Sequence, residues 1–298
     1  MKTITNDYLK PVDSKVHAMM PQDSLGAILI DSGKIGAADT ARIMDLQKRE
    51  GWRFGEAALR LKLISETDLI SALHNQYGVP MLLPGDGKLG PELVAAHEPY
   101  HRRTEELRAL RTQLLIRWYR RPSAENHMLA VISPGSGDGR SYVAANLAVL
   151  FAQLGERTLL IDADLRKPRQ HLIFNVPDRV GLSSVLTGRA GADAAVAIPG
   201  LNNLMLLPAG APPPNPLELL SRQSLPALLG EYGNDFDVIL IDTPPAIRYT
   251  DAQTIGYRAG NSLVLARKDH TRLADTARIV RELDDGGTRV VGTVINSH

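Results

Sequence analysis

A chain of 298 residues, 44% hydrophobic and 22% charged, is long enough to bury two ordinary globular cores. Its 34 basic and 33 acidic residues leave a formal charge of +1, so no global field recruits nucleic acid or an anionic membrane, and any anion site is local. The lack of cysteine excludes a disulfide framework and thiolate metal centres and agrees with a reducing, cytoplasmic compartment.

Residues 1–22 lack the unbroken apolar core of a signal peptide and read as a flexible N-terminus. No later stretch approaches the roughly 20 apolar residues of a membrane span, so any membrane contact is expected through a partner. An internal repeat follows within a helical domain assigned to 23–82. LGAILIDSGKIGAADTARIMDLQ, from Leu25, aligns with FGEAALRLKLISETDLISALHNQ, from Phe54, at a constant offset of 29 residues. Each copy reads as a short helix, a tight connection and a longer helix; Ser65 followed by Asp68 is a capping-box pattern. Ile64, Leu69, Ala72 and Leu73 recur at helical spacing, so one face packs. The repeat resembles the N-terminal domain of type II secretion and pilus ATPases, some of which bind cyclic di-GMP through paired Arg-Leu-Gly motifs. Arg53-Phe54-Gly55 keeps that arginine, whereas the first copy has Ser24-Leu25-Gly26. An arginine can stack on guanine and pair with phosphate. Two readings therefore stand for this domain, a protein-docking module or a cyclic di-GMP site near Arg53.

MLLPGDGKLGPE, with two prolines and three glycines, reads as part of a linker over 83–100. From Thr104 to Tyr119 the pattern is helical, with Leu107, Leu110, Leu114 and Trp118 on one stripe and Glu105, Arg108 and Arg111 on the next. Within 101–298, apolar segments MLAVIS, TLLIDAD, LMLLPAG, DVILIDTPP, NSLVLAR and VVGTVIN alternate with helices. Several are near-continuous apolar runs, as strands covered on both faces require. The expected fold is α/β: a doubly wound parallel sheet of the P-loop NTPase type, behind a small, mainly helical N-terminal domain. Ligands in such sheets bind at the carboxyl ends of the strands.

PGSGDGRS, Pro134 to Ser141, lies where the first strand gives way to a helix. Glycines at 135, 137 and 139 let backbone N–H groups approach phosphate oxygens, and the helix N-terminus adds partial positive charge. The expected cradle runs through Gly135, Ser136, Gly137, Asp138, Gly139, Arg140, Ser141 and Tyr142, with the Ser141 hydroxyl on Mg2+. Asp162 and Asp164, two apart at the end of the second strand, suit metal and proton handling. Asp242 ends the fourth apolar segment and reads as a ligand of magnesium-bound water. Arg140 stands where such loops usually carry lysine: its planar fork grips phosphate, but it cannot reproduce an ammonium point charge. Binding is expected to survive that exchange better than transfer.

The loop, DADLR and LIDTPP resemble the Walker A, A′ and B motifs of bacterial tyrosine kinases, relatives of the MinD and ParA ATPases. EELRALR resembles their Glu-x-x-Arg-x-x-Arg oligomerisation motif, and PPNPLELL also recurs in them. Most of the chain resembles the EpsG-type members of exopolysaccharide synthesis. The resemblance implies bound ATP and Mg2+, phosphates held by Gly137, Gly139, Arg140 and Ser141, and Asp162 accepting a tyrosine proton. It further implies Asp164 and Asp242 at the metal, Arg166 on a phosphate or a neighbouring subunit, and Asn296 at the adenine edge. Its partners would be a membrane polysaccharide co-polymerase, recruiting the protein to the inner membrane, and further copies of the chain docked through Glu105, Arg108 and Arg111. One departure concerns the substrate tail, since the last tyrosine in this sequence is Tyr257; beside the kinase-like regulator of polymerisation and chain length, a MinD- or ParA-like ATPase switch and a catalytically silent adaptor therefore stand as alternatives.

Overall fold

The computed structural model describes residues 24–76, 89–99, 101–119 and 127–297, in two units, 1–84 and 85–298. The segment read as a flexible N-terminus lies outside the described residues.

The described residues of the first unit form four helices, α1 (Leu25–Asp31), α2 (Ala37–Glu50), α3 (Phe54–Arg60) and α4 (Glu66–Gln76). Its caps explain where they begin. The Ser24 hydroxyl accepts the Ala27 N–H, and the carboxylates of Asp39, Glu56 and Asp68 reach back to the N–H groups of Gly36, Arg53 and Ser65. At Ser65 the exchange is reciprocal, because its hydroxyl accepts the Asp68 N–H at 3.1 Å, which closes a capping box. Leu29, Ile30 and Ile43 from one copy and Ala57, Ala58, Ile64 and Ala72 from the other share one core. Arg53 is exposed at the start of α3, and nearby Arg60 lies 3.9 Å over the Trp52 ring.

Lys34 and Asp68 join the two copies at 2.8 Å. The bond from Lys34, followed by those from Ser65, lowers the Asp68 carboxyl from 3.8 to about 2. A depressed carboxyl stabilises the folded state fully above its ordinary value and loses that contribution as the pH falls through the folded value. The site is solvent-facing, so the effect is under about 1 kcal/mol. We expect Asp68→Asn to melt below the parent at neutral pH. The difference should close between about pH 4 and about pH 2, followed by thermal unfolding across that range.

The second unit runs through α5 (Val94–His97), α6 (Arg102–Arg117), β1 (Met128–Ile132), α7 (Arg140–Gln153), β2 (Thr158–Asp162) and α8 (Gln170–Ile173). It continues with α9 (Leu182–Leu186), β3 (Val196–Ala197), β4 (Leu204–Leu207), α10 (Pro216–Leu220), α11 (Ser224–Asp235) and β5 (Val238–Asp242). Helix α12 (Asp251–Ala259), β6 (Asn261–Arg267), α13 (Leu273–Asp285) and β7 (Arg289–Asn296) complete it. The strand order is β3-β4-β2-β5-β1-β6-β7. Every pairing is parallel except the short β3 against β4. This is the doubly wound sheet the apolar runs predict, with β1, β2 and β5 buried along almost their whole length. The two-residue β3 has no apolar run of its own and carries no sequence signal.

Two readings are corrected here. Residues 89–99, assigned to a linker, pack into the second unit. The Asn146 side chain accepts the Ala95 N–H and donates to the Glu92 carbonyl, both at 2.9 Å, while Leu93, Ala95 and Ala96 are fully buried. The glycine that suggested flexibility serves a close approach instead: Gly90 donates to the Ile173 carbonyl at 2.8 Å, and a Cβ there would lie 2.7 Å from that oxygen. The charged stripe of α6, expected to be free for a neighbour, is largely engaged on its own unit. Arg111 donates to the Leu150 carbonyl at 3.2 Å and Arg108 to the Pro99 carbonyl at 2.7 Å. Arg108 also pairs with Glu105, whose side chain stays open to solvent.

Candidate functional site

Strand β5 lies between β1 and β2, which brings three loops together at one end of the sheet. In register, Asp242 is opposite both Val131 and Asp162. The loop after β1 turns through Gly137 at φ 84° and Gly139 at φ 98°, the left-handed region that side chains disfavour. A Cβ on Gly139 would lie 2.2 Å from Asn296 Nδ2. Beside the loop is a cavity of about 380 Å³, walled by Ser136, Gly137, Gly139, Ser141 and Tyr142, by Asp164, and by the cations Arg140, Arg166, Lys167, Arg169 and Arg248.

Not every residue read as a ligand faces that cavity. The buried Asp138 carboxylate turns inward, accepting the Gly135 N–H and the Thr271 hydroxyl, both at 2.7 Å. It therefore clamps the loop shut from behind rather than meeting phosphate. Asn296 donates to the Asp138 carbonyl at 3.0 Å and lines a separate small hollow against α6, whose wall Tyr142 shares with the cavity. Asp162 is fully buried and stands behind the cavity wall. One of its oxygens accepts the Asp164 N–H and the other the N–H groups of Arg169 and Gln170, so its proton-accepting role meets an obstacle in this geometry. Burial first, and the Asp242 charge second, push its carboxyl well above the usual range. Asp164 does face the cavity, fixed by N–H groups of Arg166 and Lys167. Arg166, expected on a phosphate or a neighbouring subunit, grips the buried Asp251 carboxylate at 2.8 and 3.1 Å and lies 3.9 Å over the Tyr249 ring.

Arg140 is only 7% exposed. Its Nε donates to the Thr243 carbonyl at 2.8 Å, and its Nη1 donates to the Ser133 hydroxyl and the Gly135 carbonyl. Two of three guanidinium nitrogens are thus spent on the protein itself. Asp242 lies in the field of that charge, which, with hydrogen bonds from Ser141 and Gln170, offsets part of the rise that burial imposes on its carboxyl. Gln170 Nε2 donates to Asp242 Oδ2 at 2.8 Å, while Asp242 Oδ1 is buried with no hydrogen-bond partner. An orphaned buried carboxylate oxygen costs stability unless a ligand completes it. Together with Ser141, whose hydroxyl reaches the same carboxylate, this oxygen suits a magnesium-bound water, so the residues present fit the ion. Gln170 escaped sequence reasoning because it belongs to no motif; Arg248 and Tyr249, past the double proline after β5, escaped it for the same reason.

Residues 129–298 match the family described as the CobQ/CobB/MinD/ParA nucleotide binding domain. Over 206 residues the chain is 35% identical to tyrosine-protein kinase YwqD of Bacillus subtilis, covering 68% of this chain and 85% of that protein. The solved kinase domain of the Escherichia coli tyrosine kinase ETK superposes with a TM-score of 0.66 at 30% identity, over 72% of this chain and 83% of that one. The septum site-determining protein MinD of Pyrococcus horikoshii, solved in complex with Mg-ADP, superposes with a TM-score of 0.51 at 25% identity, over 57% and 69% of the two chains.

Proposed function

This chain belongs to the CobQ/CobB/MinD/ParA nucleotide-binding family, with bacterial tyrosine-protein kinases as its homologues, and from that premise we propose that it binds Mg-ATP and passes phosphate to protein tyrosine. We further propose that it does so as a regulator of exopolysaccharide polymerisation, working with a membrane co-polymerase; no described helix is long and apolar enough to cross a membrane. The observation that carries the reading is the glycine loop closing on Ser141 beside the unpartnered Oδ1 of Asp242. N–H groups of the loop and the start of α7 receive the phosphates. Ser141 and Asp242 would hold the magnesium, which when bound would neutralise phosphate charge. Asp164, the carboxylate on the cavity wall, is best placed to take the proton of an incoming hydroxyl.

A second reading, an ATP-hydrolysing switch, draws support from the likeness to MinD and from Arg140, whose bonds leave little freedom to follow a departing phosphoryl group. Purified protein with Mg-ATP separates the two. Phosphotyrosine on a blot, lost in Asp164→Asn, is the expected result; inorganic phosphate release without phosphotyrosine would favour the switch. Recovery of the protein with membranes only when the co-polymerase is co-expressed is the expected result for the partner, and equal recovery without it would remove that part.

A further inference from the structure

We infer that Gln170 is a positioning residue for the magnesium-binding edge of the site, an inference that rests on the nucleotide and magnesium reading above. It opens α8 and is fully buried, where an uncharged polar side chain needs a structural or functional reason. Its bonds supply one. The Gln170 N–H donates to Asp162 Oδ2 at 2.9 Å, and its Nε2 donates to Asp242 Oδ2 at 2.8 Å and to the Ser141 carbonyl at 3.1 Å. A single residue thereby touches the end of β2, the end of β5 and the first turn of α7, the three places from which the phosphate loop's partners come.

The consequence is directional. A free carboxylate can offer either oxygen and rotate between them. Here the Gln170 amide occupies Oδ2, so Oδ1, buried and without a partner, is the oxygen left to receive a magnesium-bound water. The same amide fixes the Ser141 backbone, and with it the placement of the hydroxyl expected on the ion. The Gln170 Oε1 is likewise buried without a partner, a second unfilled acceptor on the residue that aims Asp242. Outer groups that orient a metal's ligands typically contribute 10- to 100-fold in affinity.

The test reads magnesium rather than turnover. A fluorescent ADP analogue is titrated onto the full chain with EDTA and then across a magnesium series, for the parent, Gln170→Met and Gln170→Leu. Both replacements are neutral and lack the amide while differing in shape, so a folding defect in one leaves the other. The expected result is a magnesium midpoint raised roughly 10-fold or more in a folded variant, with EDTA affinity within about twofold of the parent. Unchanged midpoints, or affinity lost equally with and without magnesium, would overturn the positioning role and leave Gln170 a packing residue. If the parent itself shows no response to magnesium, the underlying reading falls as well, and that outcome is visible in the parent alone.

Discussion

Gly139→Val is expected to abolish nucleotide binding at millimolar concentrations. Position 139 has φ 98°, where a β-branched residue costs roughly 1–3 kcal/mol of backbone strain. The added carbon would also fall on Asn296 Nδ2, at 2.2 Å, and Asn296 is the side chain that holds the Asp138 carbonyl. Relieving the clash swings the Asn296 amide off the Asp138 carbonyl, and the loop, strained at 139 and released there, turns N–H groups away from the phosphates. Losing two such charge-assisted bonds, each about 1.5–3 kcal/mol, lowers affinity by roughly 100-fold or more. Gly155→Ala is the control. It carries a similar strain, with φ 87° and nothing within 4 Å of its Cβ, but lies beyond the far end of α7. Calorimetry should show parent-like binding for Gly155→Ala and none for Gly139→Val; measurable binding in the latter would remove the loop from the site.

The sequence reveals a feature where one residue's neighbours in the chain are also its neighbours in space. The helical repeat was visible because caps and core spacing are local: Ser65 and Asp68 lie three apart and bond to each other. The strands were visible because burial on both faces leaves unbroken apolar runs. The phosphate loop was visible because left-handed backbone demands glycine at 137 and 139. What escaped depends on long-range contact. Residues 89–99 carry loop composition, yet Asn146 holds their backbone from 50 or so residues away. Asp138 sits among phosphate-facing residues in sequence, but Thr271, far along the chain, turns its carboxylate inward. Arg111 has the spacing of a solvent-facing stripe and meets the Leu150 carbonyl instead. Gln170 shows the same effect, since its meaning comes from Asp162 and Asp242 and nothing next to it points there.

Arg140 presents the sharpest case of a residue type that the sequence exposes and only geometry explains. Its charge is enclosed, and the Thr243 carbonyl, the Ser133 hydroxyl and the Gly135 carbonyl all depend on it. Hydrogen bonds from a charged donor contribute about 1.5–3 kcal/mol each, and removing a buried cation also withdraws the field that offsets part of the rise burial imposes on the Asp242 carboxyl. Arg140→Ala should therefore destabilise the second unit by about 3–5 kcal/mol, which lowers the melting temperature by roughly 10 °C for a unit of this size, and should lose nucleotide as well. Arg140→Lys separates the two roles. A single ammonium keeps the charge but cannot serve Thr243 and Gly135 as a planar fork does, so part of the stability is lost. Freed from the Thr243 carbonyl, that ammonium can follow the phosphates, and turnover of Mg-ATP per bound nucleotide should rise several-fold above the parent, with nucleotide affinity changed by less than about tenfold. Calorimetric melting and a turnover assay on the same preparations decide the matter. A lysine variant that melts like the parent would show that the fork is not a structural bond, and one that turns over more slowly would show that the arginine already acts on the phosphates.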